Sequence, residues 1–331
     1  MENHGQLKLE LISKGLVIPD KVRDFSEIIC GYCDGEPGDE ITLSLAENFI
    51  VKVPLKESYP GQPILRLDNG KIILDAMNKE FEVSVVPLPN FVREQMKKRS
   101  PVSENACIDG YCLNLFLRAV GQKNRLNLTK EAILSVIKEA FEEGAADLIQ
   151  INMDYCREPD RGLTRLAPIV HAIKKEFSTF VGLRGFPPKN KQTLDKVYAA
   201  GIDLLNFPLE GFVGFAKEED DISSALVYSA LEYAAEIFPP GTVWTELFLE
   251  PSSIDSLKDK IDYLTKKKIL PLLKLMPPPA LKEKDHQHFT EAAGYLEQAV
   301  LGARIPLKWL FPQCRYMSAL DTKFYLDQPS K

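Results

Sequence analysis

DLIQINM at 147–153, LTRLAPIVHAIKKEF at 163–177 and FVGLRG at 180–185 form the stretch of sequence that decides the fold. The first and last pieces are short apolar runs of strand length, and the piece between them has the apolar spacing of an amphipathic helix. Apolar strands that alternate with amphipathic helices are typical of parallel strands covered by helices. The stretch therefore predicts a strand, a helix and a second strand parallel to the first.

The same alternation extends to both sides of this stretch. Further apolar runs are CLNLFLRAV (112–120), DLLNFPL (203–209), TVWTELFLE (242–250) and ILPLLKLM (269–276), each followed by a helical pattern. The helix predicted over 129–144 has Asn127 or Thr129 as its cap and ends at Gly144. A closed eight-stranded barrel usually needs about 250 residues, and six units occupy about 190. The pattern predicts an α/β fold with a partial (β/α)6 TIM-like barrel, and a doubly wound sheet is the alternative.

Residues 1–100 follow a different pattern. A short helix is predicted near 5–14, and the apolar runs that follow alternate in the way that strands do. Asp68-Asn69-Gly70 stands directly before an apolar run, which is a hairpin signal. We predict a small strand-rich N-terminal domain over 1–100, a linker within 91–105, and the barrel over 101–331, ending in a helix near 286–301 and an irregular tail.

Composition limits the classes of function. The net charge of −6 gives no clustered basic face of the kind that nucleic acid requires. No apolar run approaches the roughly 20 residues that span a bilayer, and the first residues show no cleavable hydrophobic segment. We therefore expect a cytoplasmic protein that binds neither nucleic acid nor a membrane. The six cysteines are expected to be reduced thiols or ligands.

Polar side chains gather at the predicted carboxyl ends of the strands. Parallel strands present these ends at one edge, where ligands meet loops and helix N-termini. We expect a small molecule to bind in this mouth. The candidates for binding a cofactor are Asn152, Asp154, Arg184, Asn206 and Glu210, and the candidates for catalysis are Glu246 and Lys274.

The cysteines suggest a second, weaker site. Cys30 and Cys33 have the C-x2-C spacing of metal ligands or a redox dithiol, and Cys107 and Cys112 would complete a four-thiolate site if the two domains met there. Cys156 and Cys314 are expected to be isolated thiols. The sequence shows no Ser/His/Asp arrangement, HExxH motif, phosphate-binding loop or GxGxxG motif.

An ordered set of short segments resembles the radical S-adenosylmethionine (SAM) enzymes of the biotin synthase and archaeal lipoate synthase type. The set comprises Arg161-Gly162-Leu163, Phe186-Pro187-Pro188, AAGID (199–203) leading into NFPLE (206–210), 242–250, and ILPLL (269–273) before a run of prolines. The resemblance covers about residues 110–300. It implies a six-unit partial barrel with a 4Fe–4S cluster and SAM in its mouth. It also implies that Asn152-Met153-Asp154 meets the methionine amino group, that Glu210 faces the ribose or methionine part, and that Glu246 and Lys274 line the substrate side.

The chain departs from that family at the cluster loop. The family holds its cluster with three cysteines after the first strand, and the segment 121–125 has none. An Fe–S cluster requires thiolates, and without it no electron reaches SAM. Three hypotheses follow: a non-catalytic protein that binds SAM or another small ligand or partners an active paralogue, an active radical SAM enzyme with cluster ligands from Cys30, Cys33, Cys107 or Cys112, and a lyase or aldolase that uses Lys274 or a carboxylate.

Overall fold

The computed structural model describes residues 3–19, 30–33, 36–56, 61–97, 105–117, 129–209, 222–250, 254–278, 281–310, 314 and 316–326. Within 30–33, 36–39 and 95–97 it describes the course of the backbone only. Two sheets organise these residues, one with six strands and one with eight. The predicted domain boundary at residue 100, the loop after the first barrel strand and Glu210 lie outside the described residues.

The N-terminal residues form helix α1 (His4–Lys14) and an antiparallel sheet. Its strands are β1 (Cys30–Cys33), β2 (Glu36–Ala46), β3 (Phe49–Pro54), β4 (Ile64–Asp68), β5 (Lys71–Ala76) and β6 (Lys79–Val85). The spatial order is β1-β2-β6-β5-β4, and β3 pairs with β2. The predicted hairpin is confirmed: Asp68 pairs with Lys71, and Asn69 and Gly70 between them have φ of 49° and 79°. Two successive positive φ angles are the geometry that favours Asn-Gly in a tight hairpin turn.

The larger sheet has eight strands in sequential order. They are β7 (Ala106–Asp109), β8 (Cys112–Leu117), β9 (Leu148–Met153), β10 (Phe180–Arg184), β11 (Leu204–Asn206), β12 (Val243–Leu249), β13 (Leu270–Leu275) and β14 (Tyr316–Met317). Strands β8 to β13 are parallel, and β7 and β14 are antiparallel to their neighbours at the two edges. Sequential order confirms the curled partial barrel, because a doubly wound sheet reverses its order at a switch point.

The predicted barrel helices are also confirmed. They are α3 (Lys130–Glu142), α4 (Ala167–Glu176), α5 (Thr193–Ala199), α6 (Ser224–Ile237), α7 (Ile254–Lys266) and α8 (Glu283–Gly302), preceded in the chain by α2 (Asn90–Lys97). Thr129 caps α3 by accepting a hydrogen bond from the Ala132 amide at 3.2 Å, and Gly144 follows the helix with φ of 64°. Among the described residues, no helix is long and apolar enough to cross a membrane.

Helix α2 overlaps the segment 91–105 that was predicted to be a linker. The backbone amides of Asn90 and Phe91 donate to the carboxylate of Glu143 at 2.6 Å and 2.8 Å. The first amides of a helix have no partner within the helix, so an acceptor from elsewhere stabilises its start. Glu143 comes from the end of α3, and this contact between distant segments is not visible in the local sequence.

The two faces of the eight-stranded sheet differ in polarity. Successive residues of a strand point to opposite faces, and paired residues of parallel strands point to the same face. One face is mostly apolar and belongs to the hydrophobic core, with Leu113, Leu115, Ile149, Ile151, Val181, Leu183, Leu205, Leu247 and Leu273. We call the opposite face the inner face. Its polar side chains are Asn114, Gln150, Asn152, Arg184, Asn206, Glu246 and Lys274.

The edge strands β7 and β14 approach each other at what we call the seam. Cys314, two residues before β14, lies close to the Asp109 carboxylate at the end of β7, which raises the pKa of the Cys314 thiol together with burial. Cys314 is a buried free cysteine. The N-terminal unit contacts both edges of the seam: Lys8 Nζ donates to the carbonyl of Tyr316 at 3.3 Å, and Lys52 Nζ donates to the carbonyl of Ile108 at 3.5 Å.

The C-terminal tail packs against the N-terminal unit. The predicted irregular tail contains β14 and a short 3-10 helix, Thr322–Phe324. Phe49 of β3 stacks on Phe324 at 4.2 Å between ring centroids and contacts Tyr325 edge-on at 5.8 Å. A side chain at Gly5 of α1 would place Cβ only 2.6 Å from the carbonyl oxygen of Phe324. Helix α1 and the tail are thus in close contact.

Candidate functional site

Three side chains meet at the carboxyl end of the inner face. Arg184 of β10 donates from Nε and Nη2 to the two carboxylate oxygens of Glu246 of β12, at 2.8 Å and 3.3 Å. The hydroxyl of Tyr316 donates to Glu246 Oε2 at 3.0 Å. Glu246 is 1% exposed, whereas the side chain of Arg184 is 37% exposed. The arrangement fixes a buried carboxylate and presents a guanidinium at the mouth.

The ion pair crosses strand β11, which lies between β10 and β12. Asn206 is on that strand, and its Cα pairs with those of Arg184 and Trp244. The residue is fully buried. Within the described part of the chain, neither its amide oxygen nor its amide nitrogen has a hydrogen-bond partner. The ion pair therefore spans a buried side-chain amide that none of the described residues satisfies.

A second group of amides lies on β8 and β9. Asn152 donates from Nδ2 to Asn114 Oδ1 at 3.1 Å and to the carbonyl of Gln150 at 3.5 Å. The predicted site included Asn152 but not Asn114. The sequence could have indicated Asn114 as a site residue, because it is the polar residue within the apolar run CLNLFL (112–117). These amides extend the polar inner face away from Arg184.

Lys274 lies on the inner face of β13. Its Cα pairs with that of Tyr316 in β14 and that of Phe248 in β12. Its ammonium group is 5.7 Å from the centroid of the Phe248 ring. It makes no ion pair with any carboxylate of the described ranges. Lys274 thus lies one residue before the end of β13, and its catalytic role stays a prediction.

Loops after β9 and β10 are held together beside the mouth. Arg161 is 1% exposed and has φ of 57°. It donates to the Tyr155 hydroxyl at 3.2 Å, to the Cys156 carbonyl at 3.1 Å and to the Pro187 carbonyl at 3.3 Å. The Asp154 amide donates to the Leu117 carbonyl at 3.1 Å, which places Asp154 directly beyond β9. Arg161 therefore has a structural role in shaping the mouth.

The cysteines proposed as cluster ligands are not at the mouth where the structure describes them. Cys112 begins β8, and Cys107 pairs with Asn114 in the middle of that strand. Burial raises the pKa of the Cys112 thiol, and the nearby Asp109 raises it further. The side chains of Cys30 and Cys33 lie outside the described part of the chain. Among described residues, no three His, Cys, Asp or Glu side chains are grouped to hold a metal.

This environment predicts the order in which the thiols react. With iodoacetamide near neutral pH, we expect Cys156, which is partly exposed, to be alkylated at least about tenfold faster than the buried Cys314. Burial raises the pKa of the Cys314 thiol, and the thiolate is the reactive form. Peptide mass spectrometry over time measures each rate. Equal rates for Cys314 and Cys156 would contradict the burial of Cys314.

Neither a family model nor a curated protein matches the chain. Among solved structures, the chain is similar to methylornithine synthase (PylB), with 14% identity and a TM-score of 0.41 over 59% of this chain and 64% of that one. It is also similar to dihydropteroate synthases from Coxiella burnetii (15%, 0.31, covering 60% and 70%) and Vibrio fischeri ES114 (17%, 0.34, covering 57% and 68%). The chain thus spans less than two thirds of methylornithine synthase. Similarity at this level concerns the fold alone.

Proposed function

We propose that this protein binds a small anionic or zwitterionic ligand in the mouth of the partial barrel and does so without an Fe–S cluster. The observation that carries the proposal is the Arg184–Glu246–Tyr316 group at the carboxyl end of the inner face. Ligands of parallel α/β folds bind at this end of the sheet. Arginine is well suited to bind a carboxylate or phosphate, because its planar fork makes two parallel hydrogen bonds.

SAM is the first ligand to test. Its amino-acid part carries a carboxylate and an ammonium group, and its sulfonium carries a second positive charge. Arg184 would bind the carboxylate, and Asp154, directly beyond β9, would bind the ammonium group, as the family resemblance implies. Glu246 offers a buried negative charge close to Arg184. When bound, SAM would supply a reactive sulfonium, and these residues would bind and orient it.

The cysteines do not fit a cluster in this mouth. The positions of Cys107 and Cys112 along β7 and β8 are away from the carboxyl end, and burial disfavours the thiolate form of Cys112. We therefore derive no radical step. An aldolase or lyase role for Lys274 gains no support either, since its described contact is the ring of Phe248. A partnership with an active paralogue stays a prediction.

Calorimetric titration with SAM tests the proposal. We expect the wild-type protein to bind SAM, and Arg184→Lys to weaken binding about tenfold, because lysine keeps the charge but loses the two parallel hydrogen bonds. Arg165→Lys is the matched control, since Arg165 pairs with Glu158 on the surface beside the mouth. Its affinity should equal that of the wild type. Absence of SAM binding to folded wild-type protein would refute SAM as the ligand, and equal affinity of both variants would refute the role of Arg184.

A further inference from the structure

Asn206 is a buried polar residue whose environment the fold does not explain. It is 0% exposed, and neither atom of its amide has a hydrogen-bond partner among the residues that the structure describes. Burying an unpaired amide is unfavourable, so such groups are rare in folded proteins. Strand β11 would gain stability from an apolar side chain at this position. A residue that costs stability in the free protein is expected where a ligand uses it.

Asn152 on β9 provides a direct comparison with Asn206 on β11. Asn152 lies at the paired position two strands away, since both residues pair with Arg184. Its amide is bonded to Asn114 and to the carbonyl of Gln150. Within one row of the inner face, one asparagine is therefore satisfied by the protein and the other is not. The unsatisfied one lies under the Arg184–Glu246 pair.

The side-chain amide of Asn206 determines which ligand group can pair with it. An asparagine side chain presents one acceptor and one donor side by side. The matching group is a planar edge that carries a donor next to an acceptor. The amino and ring-nitrogen edge of adenine and the lactam edge of an oxopurine or a pyrimidine have this arrangement. Asparagine binds adenine through a pair of hydrogen bonds of this kind in nucleic-acid recognition.

We propose that Asn206 recognises the edge of a planar nitrogen heterocycle in the ligand, through two hydrogen bonds made after Arg184 moves from above it. The inference rests on the proposed function, because it assigns a second part of the same ligand. Arg184 is partly exposed and its ion pair with Glu246 spans β11, so the heterocycle can reach Asn206 only if the Arg184 side chain moves toward solvent. The anionic part of the ligand would then bind Arg184 while the heterocycle lies on β11.

Replacing Asn206 with an apolar residue is expected to stabilise the ligand-free protein. Asn206→Leu keeps the branching and the number of side-chain heavy atoms and removes the unpaired amide, so we expect the unfolding midpoint to rise by about 2–4 °C. Asn152→Leu is the matched control and should lower the midpoint, because it breaks the hydrogen bonds to Asn114 and Gln150. Differential scanning calorimetry of both variants without ligand measures the shifts. A fall for Asn206→Leu would show that the amide is paired, by water or by protein, and would overturn the proposal.

Ligand binding provides the second test. Adenosine and inosine carry the heterocycle without an amino-acid part, and S-methylmethionine carries the amino-acid part without the heterocycle. We expect Asn206→Leu to weaken nucleoside binding about 10- to 100-fold and to leave S-methylmethionine binding unchanged. Arg184→Lys should weaken S-methylmethionine binding and should not weaken nucleoside binding, because the side chain at this position has to leave Asn206 for the heterocycle to bind. If the wild type binds S-methylmethionine but neither nucleoside, the inference fails and the proposed function stands. If it binds a nucleoside but no amino-acid probe or SAM, the proposed anion site fails instead.

Discussion

Replacing Lys8 with alanine is expected to lower the free energy of unfolding by about 3–5 kcal/mol. Lys8 is fully buried at the seam, where its ammonium group donates to the carbonyl of Tyr316. Burial lowers the pKa of Lys8, and the carboxylates of Asp321 and Asp109 partly offset that shift. Without the ammonium group, the buried carboxylate of Asp321 loses the positive charge that compensates it most strongly. Urea unfolding followed by circular dichroism measures the loss.

Lys14→Ala is the control for this prediction. Lys14 is in the same helix and pairs with Glu10, with 29% of its side chain exposed. Its replacement should cost at most about 1 kcal/mol. The two variants share a helix and a residue type, so a difference between them measures the effect of the seam. Equal costs would mean that Lys8 does not bind the two edge strands together.

The seam and the mouth are connected through one residue. The carbonyl of Tyr316 accepts from Lys8, and its hydroxyl donates to the Glu246 carboxylate. Docking of the N-terminal unit therefore fixes the backbone that positions a hydrogen bond in the candidate site. The N-terminal unit thus supports the candidate site indirectly, through Tyr316, without adding a residue to it.

The barrel could be predicted because its signals are local. Apolar runs of strand length and amphipathic helices recur along the chain, and caps such as Thr129 and stops such as Gly144 mark the ends of α3. The polar residues at strand ends were also visible, since Asn152, Arg184, Asn206 and Glu246 each interrupt or end an apolar run. Parallel topology then places these residues on one face.

The seam could not be predicted because its contacts are distant in sequence. Lys8 and Lys52 occur in patterns that usually indicate solvated positions, yet both are buried against β14 and β7. Strand β14 has two residues and no periodicity of its own, so only its pairing with β13 defines it. The bond from Tyr316 to Glu246 joins residues 70 positions apart. Contacts between residues so far apart produce no pattern in the local sequence.

Removal of the Arg184 guanidinium is expected to cost about 3 kcal/mol through its effect on Glu246. In Arg184→Met, the Glu246 carboxylate keeps the Tyr316 hydroxyl but loses both charge-assisted hydrogen bonds from the guanidinium. At 1% exposure, water cannot replace them. The stability is lost because the buried Glu246 carboxylate no longer has the Arg184 charge beside it. A second substitution that removes the Glu246 charge should therefore recover most of the lost stability.

A double-mutant cycle of Arg184→Met and Glu246→Gln measures this coupling. We expect about 2 kcal/mol between the two sites, with the double variant more stable than Arg184→Met alone. The surface pair Arg165–Glu158, whose side chains are 52% and 44% exposed, provides the reference cycle. Its coupling should stay below about 0.5 kcal/mol, because solvent screens both charges. If the two cycles give the same coupling, the Glu246 carboxylate is accessible to water, and the mouth has no fixed buried charge with which to orient a ligand.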